Sequence, residues 1–191
     1  MSSFLSQIHY KLYERIRYSD HIANTLSILL KNQKQISLLE NSVLSDGALE
    51  DVIDVEQIHD WLSNRIQEVE KRLSSLLTTC IQEGLQQECE HLFYELGLER
   101  SNDSITTPKQ ALQYMQQYML DGMPCEHGIQ MIHDDEDCIQ FIIACDVHMH
   151  INQLNTFMYM RFIWMKALLS KSNISISHKH MNFETRKEDT K

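Results

Sequence analysis

Apolar residues recur every three or four positions over most of the chain, which is the spacing of one face of an α-helix. The pattern predicts helices at about 4–31, 49–83, 85–96, 107–121 and 135–170, with a short helix within 36–43 before a turn at 45–47. Thr107 and Pro108 suit the N-cap and first position of the fourth helix. Gly97 suits the residue just after the third.

Turn-forming residues are scarce, because the 191 residues include only five glycines and two prolines. This scarcity favours long helices over a sheet of many strands. The predicted fold class is therefore all-α, an up-and-down bundle of the four-helix type. We expect one domain over residues 1–171, followed by a polar, frayed tail at 172–191.

The helix predicted at 135–170 carries polar residues on the face that should contact its neighbours. Cys145, His148, Asn152 and Asn155 follow one another at spacings of three and four on that face. Burying an imidazole and two amides costs free energy unless each finds a hydrogen-bond partner. These residues therefore predict either a hydrogen-bonded core network or a functional site.

The charge and the cysteines narrow the classes of partner and the compartment. The formal net charge is −10, which argues against nucleic acid because phosphate binding needs clustered Lys and Arg. No apolar run approaches the ~20 residues of a membrane span, and the first residues do not resemble a secretory signal. The five cysteines form no CxxC pair, which is typical of reduced thiols in a cytosol. We therefore predict a cytoplasmic protein without membrane contact.

Histidines on core-facing stripes of different predicted helices lead to a metal-binding hypothesis. His148 and Cys125 are the preferred ligands, with His59, Cys145 or His9 completing the site. Imidazole and thiolate donors favour zinc or iron over a hard, oxygen-binding cation. In a simple up-and-down topology His9 lies too far along the bundle to join the others. The alternative is that each histidine is a core residue with a hydrogen-bond partner.

Other chemistries have weaker signals. The strings Glu56-x-x-His59 and Glu88-x-x-His91 have the ligand spacing of carboxylate di-iron bundles, but such strings also arise by chance. Cys125 is a candidate nucleophile, although the acidic residues at 134–137 oppose formation of its thiolate. No HExxH, HxxxH, phosphate-binding glycine loop or GxGxxG string occurs. The sequence therefore names no reaction, and whether the protein is an enzyme stays open.

Three short stretches together resemble an uncharacterised family of bacterial all-helical proteins with no assigned activity: residues 4–13 (FLSQIHYKLY), 121–126 (DGMPCE), and 146–148 with 159–164 (DVH and YMRFIW). The resemblance implies that His9, Cys125, Asp146, His148 and Arg161 deserve attention, and it keeps His9 among the candidate ligands. Within a metal site Asp146 would orient a histidine and Arg161 would hold an anionic substrate.

The leading functional hypothesis is thus a cytoplasmic metal-binding bundle with a buried His/Cys site. A second is a non-enzymatic regulatory or protein-interaction protein, in which the polar residues from Cys145 to Asn155 form a structural hydrogen-bonded network. A third is a small-molecule sensor with a pocket lined by methionine and aromatic side chains. A protein partner and a homodimer are compatible with each of these hypotheses.

Overall fold

The computed structural model of the chain describes residues 5–35, 44 and 47–188. These contain six helices, which are α1 (Gln7–Lys34), α2 (Leu49–Val52), α3 (Ile58–Gln82), α4 (Gln86–Leu98), α5 (Pro108–Met115) and α6 (Leu154–Leu168). They also contain four strands, which are β1 (Ile129–Asp134), β2 (Cys138–Ile143), β3 (Ile174–Lys179) and β4 (Asn182–Lys187). Two short 3-10 helices lie at Pro124–Glu126 and Asp146–His148. The helix predicted within 36–43 lies outside the described residues.

The first four long helices were predicted close to their observed positions. α1 buries one stripe along its length against α3, and α4 packs against α6. At the start of α5 the Thr107 hydroxyl accepts the Gln110 N–H at 3.2 Å, and Pro108 follows the cap as expected. α3 begins later than predicted because the Asp54 carboxylate accepts the Glu56 N–H at 2.9 Å, which makes a turn that separates α2 from α3.

The predicted all-α class is wrong, because the four strands form an antiparallel sheet in the order β1-β2-β4-β3. The chain predicted as one helix at 135–170 contains strand β2, a 3-10 helix and only then α6. Ile139, Phe141 and Ile143 alternate with less buried residues in β2, so the period is two rather than 3.6. The Asp135 carboxylate accepts the N–H groups of Asp137 and Cys138, at 2.9 and 2.7 Å, and this bonding forms a hairpin turn instead of a helix start.

The polar end of the chain completes this sheet rather than fraying. Strands β3 and β4 occupy most of the expected tail, and β4 lies between β2 and β3. Phe183 of β4 is opposite Phe141 of β2, and the two stacked rings lie 5.4 Å apart on the buried face. β1 lies at one edge of the sheet formed by the described residues, and its pairing with β2 is interrupted by a bulge between Met131 and His133.

The buried apolar side chains form two clusters. The larger joins α4, α6 and the sheet to the later parts of α1 and α3, and the smaller lies between the first halves of α1 and α3. Met119 belongs to the larger cluster, whereas Leu120 and Met123 belong to the smaller one. The segment 119–123 therefore lies at the boundary of the two clusters. Within the described ranges, no helix combines the length and the apolar character needed to cross a membrane.

α4 and α6 cross at Gly97, which lies inside α4 rather than after its end as predicted. A Cβ at this position would lie 2.3 Å from the Trp164 carbonyl oxygen and 2.9 Å from Cβ of Ala167. Both partners belong to α6, so the absence of a side chain at Gly97 sets how closely the two helices approach.

We expect Gly97→Ala to lower the free energy of unfolding by about 2 kcal/mol, because overpacking outweighs the helix propensity gained by alanine. Chemical denaturation measures this loss. Gly84→Ala is the matched control, since Gly84 has a φ of 77° but open space around its Cα. That control should lose about 1 kcal/mol through backbone strain alone. A Gly97→Ala variant as stable as the wild type would contradict the close crossing.

Candidate functional site

Four charged side chains from four separate segments meet at the boundary of the two apolar clusters. Glu70 comes from α3, Asp121 from the loop before the first 3-10 helix, His148 from the second 3-10 helix and Arg161 from α6. The side chains of Glu70, His148 and Arg161 are buried, and that of Asp121 is 9% exposed. We call these four residues the charge network.

His148 is the centre of the charge network. Its Nδ1 lies 2.7 Å from Oε1 of Glu70, and its Nε2 lies 3.2 Å from Oδ1 of Asp121. Arg161 contacts both His148 and Asp121. Its Nη1 lies 2.9 Å from Nε2 of His148, and its Nη2 lies 2.7 Å from Oδ1 of Asp121. The imidazole is thus held between two carboxylates, with a guanidinium on one side.

Two effects compete over the proton on His148. Burial and the Arg161 charge favour the neutral imidazole, while hydrogen bonds to Asp121 and Glu70 favour the imidazolium. The carboxylates prevail, so the pKa of His148 lies above its ordinary 6.5. Burial likewise disfavours the charged form of Asp121, but Arg161 and His148 outweigh it and lower the pKa of Asp121. With His148 protonated, both of its ring nitrogens donate to carboxylates, and the 2.9 Å approach of Nη1 of Arg161 to Nε2 is a contact between two donors that share Asp121 as acceptor. The charge network then holds two positive and two negative charges and is neutral.

Two atoms of the charge network keep unused hydrogen-bonding capacity among the described residues: Oε2 of Glu70, which has no partner, and Nη2 of Arg161. Nη2 carries two hydrogens, and its 2.7 Å ion pair with Oδ1 of Asp121 occupies only one of them. Buried donors without a partner are uncommon and costly in folded proteins. The guanidinium therefore retains hydrogen-bonding capacity.

Arg161 also lines a small cavity with aromatic walls. The cavity has a volume of about 40 Å³, which accommodates about three water molecules. Tyr18, Tyr118 and Trp164 line it and contact one another, with ring centroids 5.4 to 6.0 Å apart. The Trp164 indole N–H donates to the Tyr18 hydroxyl at 2.7 Å, which links the two rings at the cavity wall. Tyr18 and Tyr118 remain partly exposed, so they lie where the cavity opens toward solvent.

Arg100 adds a cation next to this opening. Its guanidinium carbon lies 5.5 Å from the ring centroids of both Tyr18 and Tyr118, a distance at which the ring faces attract a cation. Burial raises the pKa of Tyr18, and the interactions with Trp164 and Arg100 act in the opposite direction. The aromatic cavity is therefore bordered by one guanidinium inside and a second at its opening.

A second buried ion pair joins α1 to α3 beside the cavity. Nη1 of Arg72 lies 2.7 Å from Oδ1 of Asp20, and Nη2 donates to the Asn24 amide oxygen at 2.6 Å. Ser19 and Leu73, which are adjacent in sequence to Asp20 and Arg72, line the cavity. This ion pair fixes the helices that form one wall of the cavity.

Of the predicted site residues, the structure brings together His148 and Arg161 and, separately, His9 and His59, which the simple up-and-down topology had placed too far apart. Cys125 and Cys145 are exposed thiols, and Asp146 is exposed, so Glu70 and Asp121 orient His148 instead. His59 contacts His9 with ring centroids 5.6 Å apart. The prediction that the polar residues after His148 are also buried is wrong, because Asn152 and Asn155 are exposed.

The predicted metal-binding function is wrong. No group of three or more His, Cys, Asp or Glu side chains within residues 5–35 and 47–188 is arranged to hold a metal ion. His148 takes part in ion pairs with carboxylates instead. The choice of zinc or iron as cofactor was not tested and stays a prediction.

Sequence reasoning missed Glu70 and Asp121 as members of the site. A signal for Glu70 was present, because it lies between Val69 and Leu73 on the apolar stripe of α3. A carboxylate on a core-facing stripe needs a buried partner. Asp121 had no periodic signal, since it lies in a loop.

Comparison with protein-family models, with curated proteins and with solved structures found no match to this chain. The resemblance to a bacterial family was not tested by these comparisons and stays a prediction. The function must therefore be argued from the site itself.

We expect the charge network to make stability fall as pH rises. The pKa of His148 is higher in the folded than in the unfolded chain, so its contribution is complete below about pH 6.5 and is lost as pH rises through the folded value. One such group changes the free energy of unfolding by at most about 1.4 kcal/mol per pH unit. Urea titrations between pH 6 and 9 measure this slope.

His148→Gln should abolish this part of the slope, because the amide does not titrate. His91→Gln is the control, since the His91 side chain is 76% exposed on α4. Parallel pH profiles for the wild type and His148→Gln would contradict the proposed protonation of His148.

Proposed function

We propose that the protein binds a small carboxylate whose apolar, planar body occupies the aromatic cavity. The observation that carries this proposal is Arg161, a buried guanidinium that lines the aromatic cavity and whose Nη2 has one hydrogen beyond the one that faces Asp121. A carboxylate is the group that a guanidinium donor pairs with best. Arg161 would therefore orient the ligand, and the aromatic walls would hold its body.

The balance of charge supports an anionic ligand. The charge network is neutral when His148 is protonated, and Arg100 adds one positive charge near the opening. Two further charged residues lie near the site: Arg15 interacts electrostatically with Asp121, and Glu99 with Tyr18. Their opposite charges cancel in the total charge around the cavity. One negative charge on the ligand brings the total to zero. A second negative charge on the ligand would meet the carboxylates of Glu70 and Asp121 without a matching cation.

The walls of the cavity favour a flat body. Aromatic side chains line this narrow space, among them those of Tyr18, Tyr118, Trp164 and Phe157. Rings stack with other conjugated groups in offset or edge-to-face geometry, which favours a planar ligand over a branched one. The present volume fits only a small carboxylate. A single-ring ligand therefore requires outward movement of Tyr18 and Tyr118, which are partly exposed.

The compartment and partners belong to the same proposal. A cytoplasmic location is supported by five cysteines that are all free thiols. The formal net charge of −10 supports a ligand other than a nucleic acid. A homodimer and a protein partner stay predictions.

Benzoate is expected to quench Trp164 fluorescence saturably, because the indole lines the cavity. The chain has two tryptophans, so Trp61→Phe leaves Trp164 as the only reporter. Benzamide, which is neutral and has nearly the same shape, should bind at least 10-fold more weakly because it lacks the charge that pairs with Arg161. This comparison uses one folded protein and needs no change in the site.

Arg161→Lys in the Trp61→Phe background should weaken benzoate binding at least 10-fold, since an ammonium cannot replace the planar donors of a guanidinium. Lys166→Gln is the control, because Lys166 is an exposed residue of the same helix. Equal binding of benzoate and benzamide, or quenching without saturation, would refute the proposal.

A further inference from the structure

A second cavity lies along α1 nearer its first residue than the aromatic cavity does, and none of its lining residues belongs to the charge network. It is a groove of about 530 Å³ between the start of α1 and the end of α5, within the usual size range of small-molecule sites. We call it the α1–α5 groove. Its polar lining comes from α1 and from the end of α5 and the residues just after it: Gln7, Tyr10, Lys11, Glu14, Arg15, Gln113, Gln116 and Gln117. The Tyr10 hydroxyl donates to the Glu50 carboxylate at 2.7 Å.

Two cations in this groove have no carboxylate partner. Lys11 and Arg15 are four residues apart on α1, so they lie on one face of the helix. Neither forms an ion pair within the described ranges, and Nε of Arg15 is buried without a hydrogen bond there. Asp121 lies near enough to Arg15 to act on it electrostatically, but that carboxylate is already paired with Arg161 and His148. Both cations therefore remain available to an anion.

The one acidic residue that lines the groove does not neutralise them. The Glu14 side chain is 68% exposed and lies 3.9 Å from Arg17 instead. Among the residues that line the groove, two cations thus accompany one carboxylate, in a chain whose net charge is −10. The amides of Gln113, Gln116 and Gln117 add both donors and acceptors, which suit hydroxyl groups.

We propose that the α1–α5 groove binds a phosphate monoester of a polar, hydroxylated small molecule. The two cations match the charge of a phosphate monoester, which approaches −2 at neutral pH and has three strong acceptor oxygens. Arg15 would bind two oxygens through its planar donors and Lys11 would contact the group as a point charge. The glutamine amides would bind the hydroxyl groups. The groove and the aromatic cavity have no lining residue in common, although Arg15 also acts electrostatically on Asp121 of the charge network.

Calorimetric titration at constant ionic strength tests the groove with glucose 6-phosphate, inorganic phosphate and glucose as probes. Glucose 6-phosphate should bind saturably and at least 10-fold more tightly than either of the others. Lys11→Gln and Arg15→Gln should each weaken it at least 10-fold, whereas Glu14→Gln should tighten it by removing a negative charge. Lys34→Gln, at the exposed end of α1, is the matched control and should not change the affinity.

The result that overturns the proposal is equal affinity for glucose 6-phosphate in the wild type and in a Lys11→Gln/Arg15→Gln double variant. Inorganic phosphate binding as tightly as the ester would overturn the assignment of an ester. Lys11→Gln should leave benzoate binding unchanged, because Lys11 lies outside the aromatic cavity and the charge network, so failure of the carboxylate proposal and failure of this one give different results.

Discussion

The contact of His148 with two buried carboxylates and one guanidinium is the interaction on which the rest of the structure depends. It joins α3, α6, the loop at 119–123 and the second 3-10 helix at a single point. Moving four charges out of water is expensive, and only the complete set compensates for that cost. Removal of one member would leave an unpaired buried charge, so the four segments are constrained to come together. The boundary between the two apolar clusters is fixed in this way.

The aromatic cavity is a result of the same constraint. Arg161 belongs to both the charge network and the cavity wall, so its position is set by Asp121 and His148 before any ligand arrives. A donor held in advance loses little conformational entropy on binding. On the opposite wall, the Asp20–Arg72 ion pair holds α1 against α3. The site thus lies on rigid elements, and only the partly exposed tyrosines at its opening have room to move.

The sequence predicted the helices well and the sheet badly, for a physical reason. The stripes of α1 and α3 extend over many turns, so the 3.6-residue period is unambiguous. In contrast, β2 has only six residues, which is too short to show a clear two-residue period. Its Ile and Phe residues and the later apolar residues of α6 together fit the pattern of one long helix. The partners of His148 were not predictable, since Glu70 and Asp121 lie 78 and 27 residues away in the chain. Local patterns indicate that a residue is buried but do not show which distant residue contacts it.

The bulge in β1 has a consequence for how the protein behaves in a crowded solution. Within the described part of the chain, β1 has a strand on one side only and exposes the side chains of Met131 and Ile132, and such an edge is a template onto which another chain can add a strand. The extra residue between Met131 and His133 breaks the regular ladder and increases the local twist, so a straight incoming strand loses register there. The acidic turn at 134–137 adds repulsion between two such edges. One inserted residue therefore lets the sheet keep an open, apolar edge while resisting growth into an intermolecular sheet.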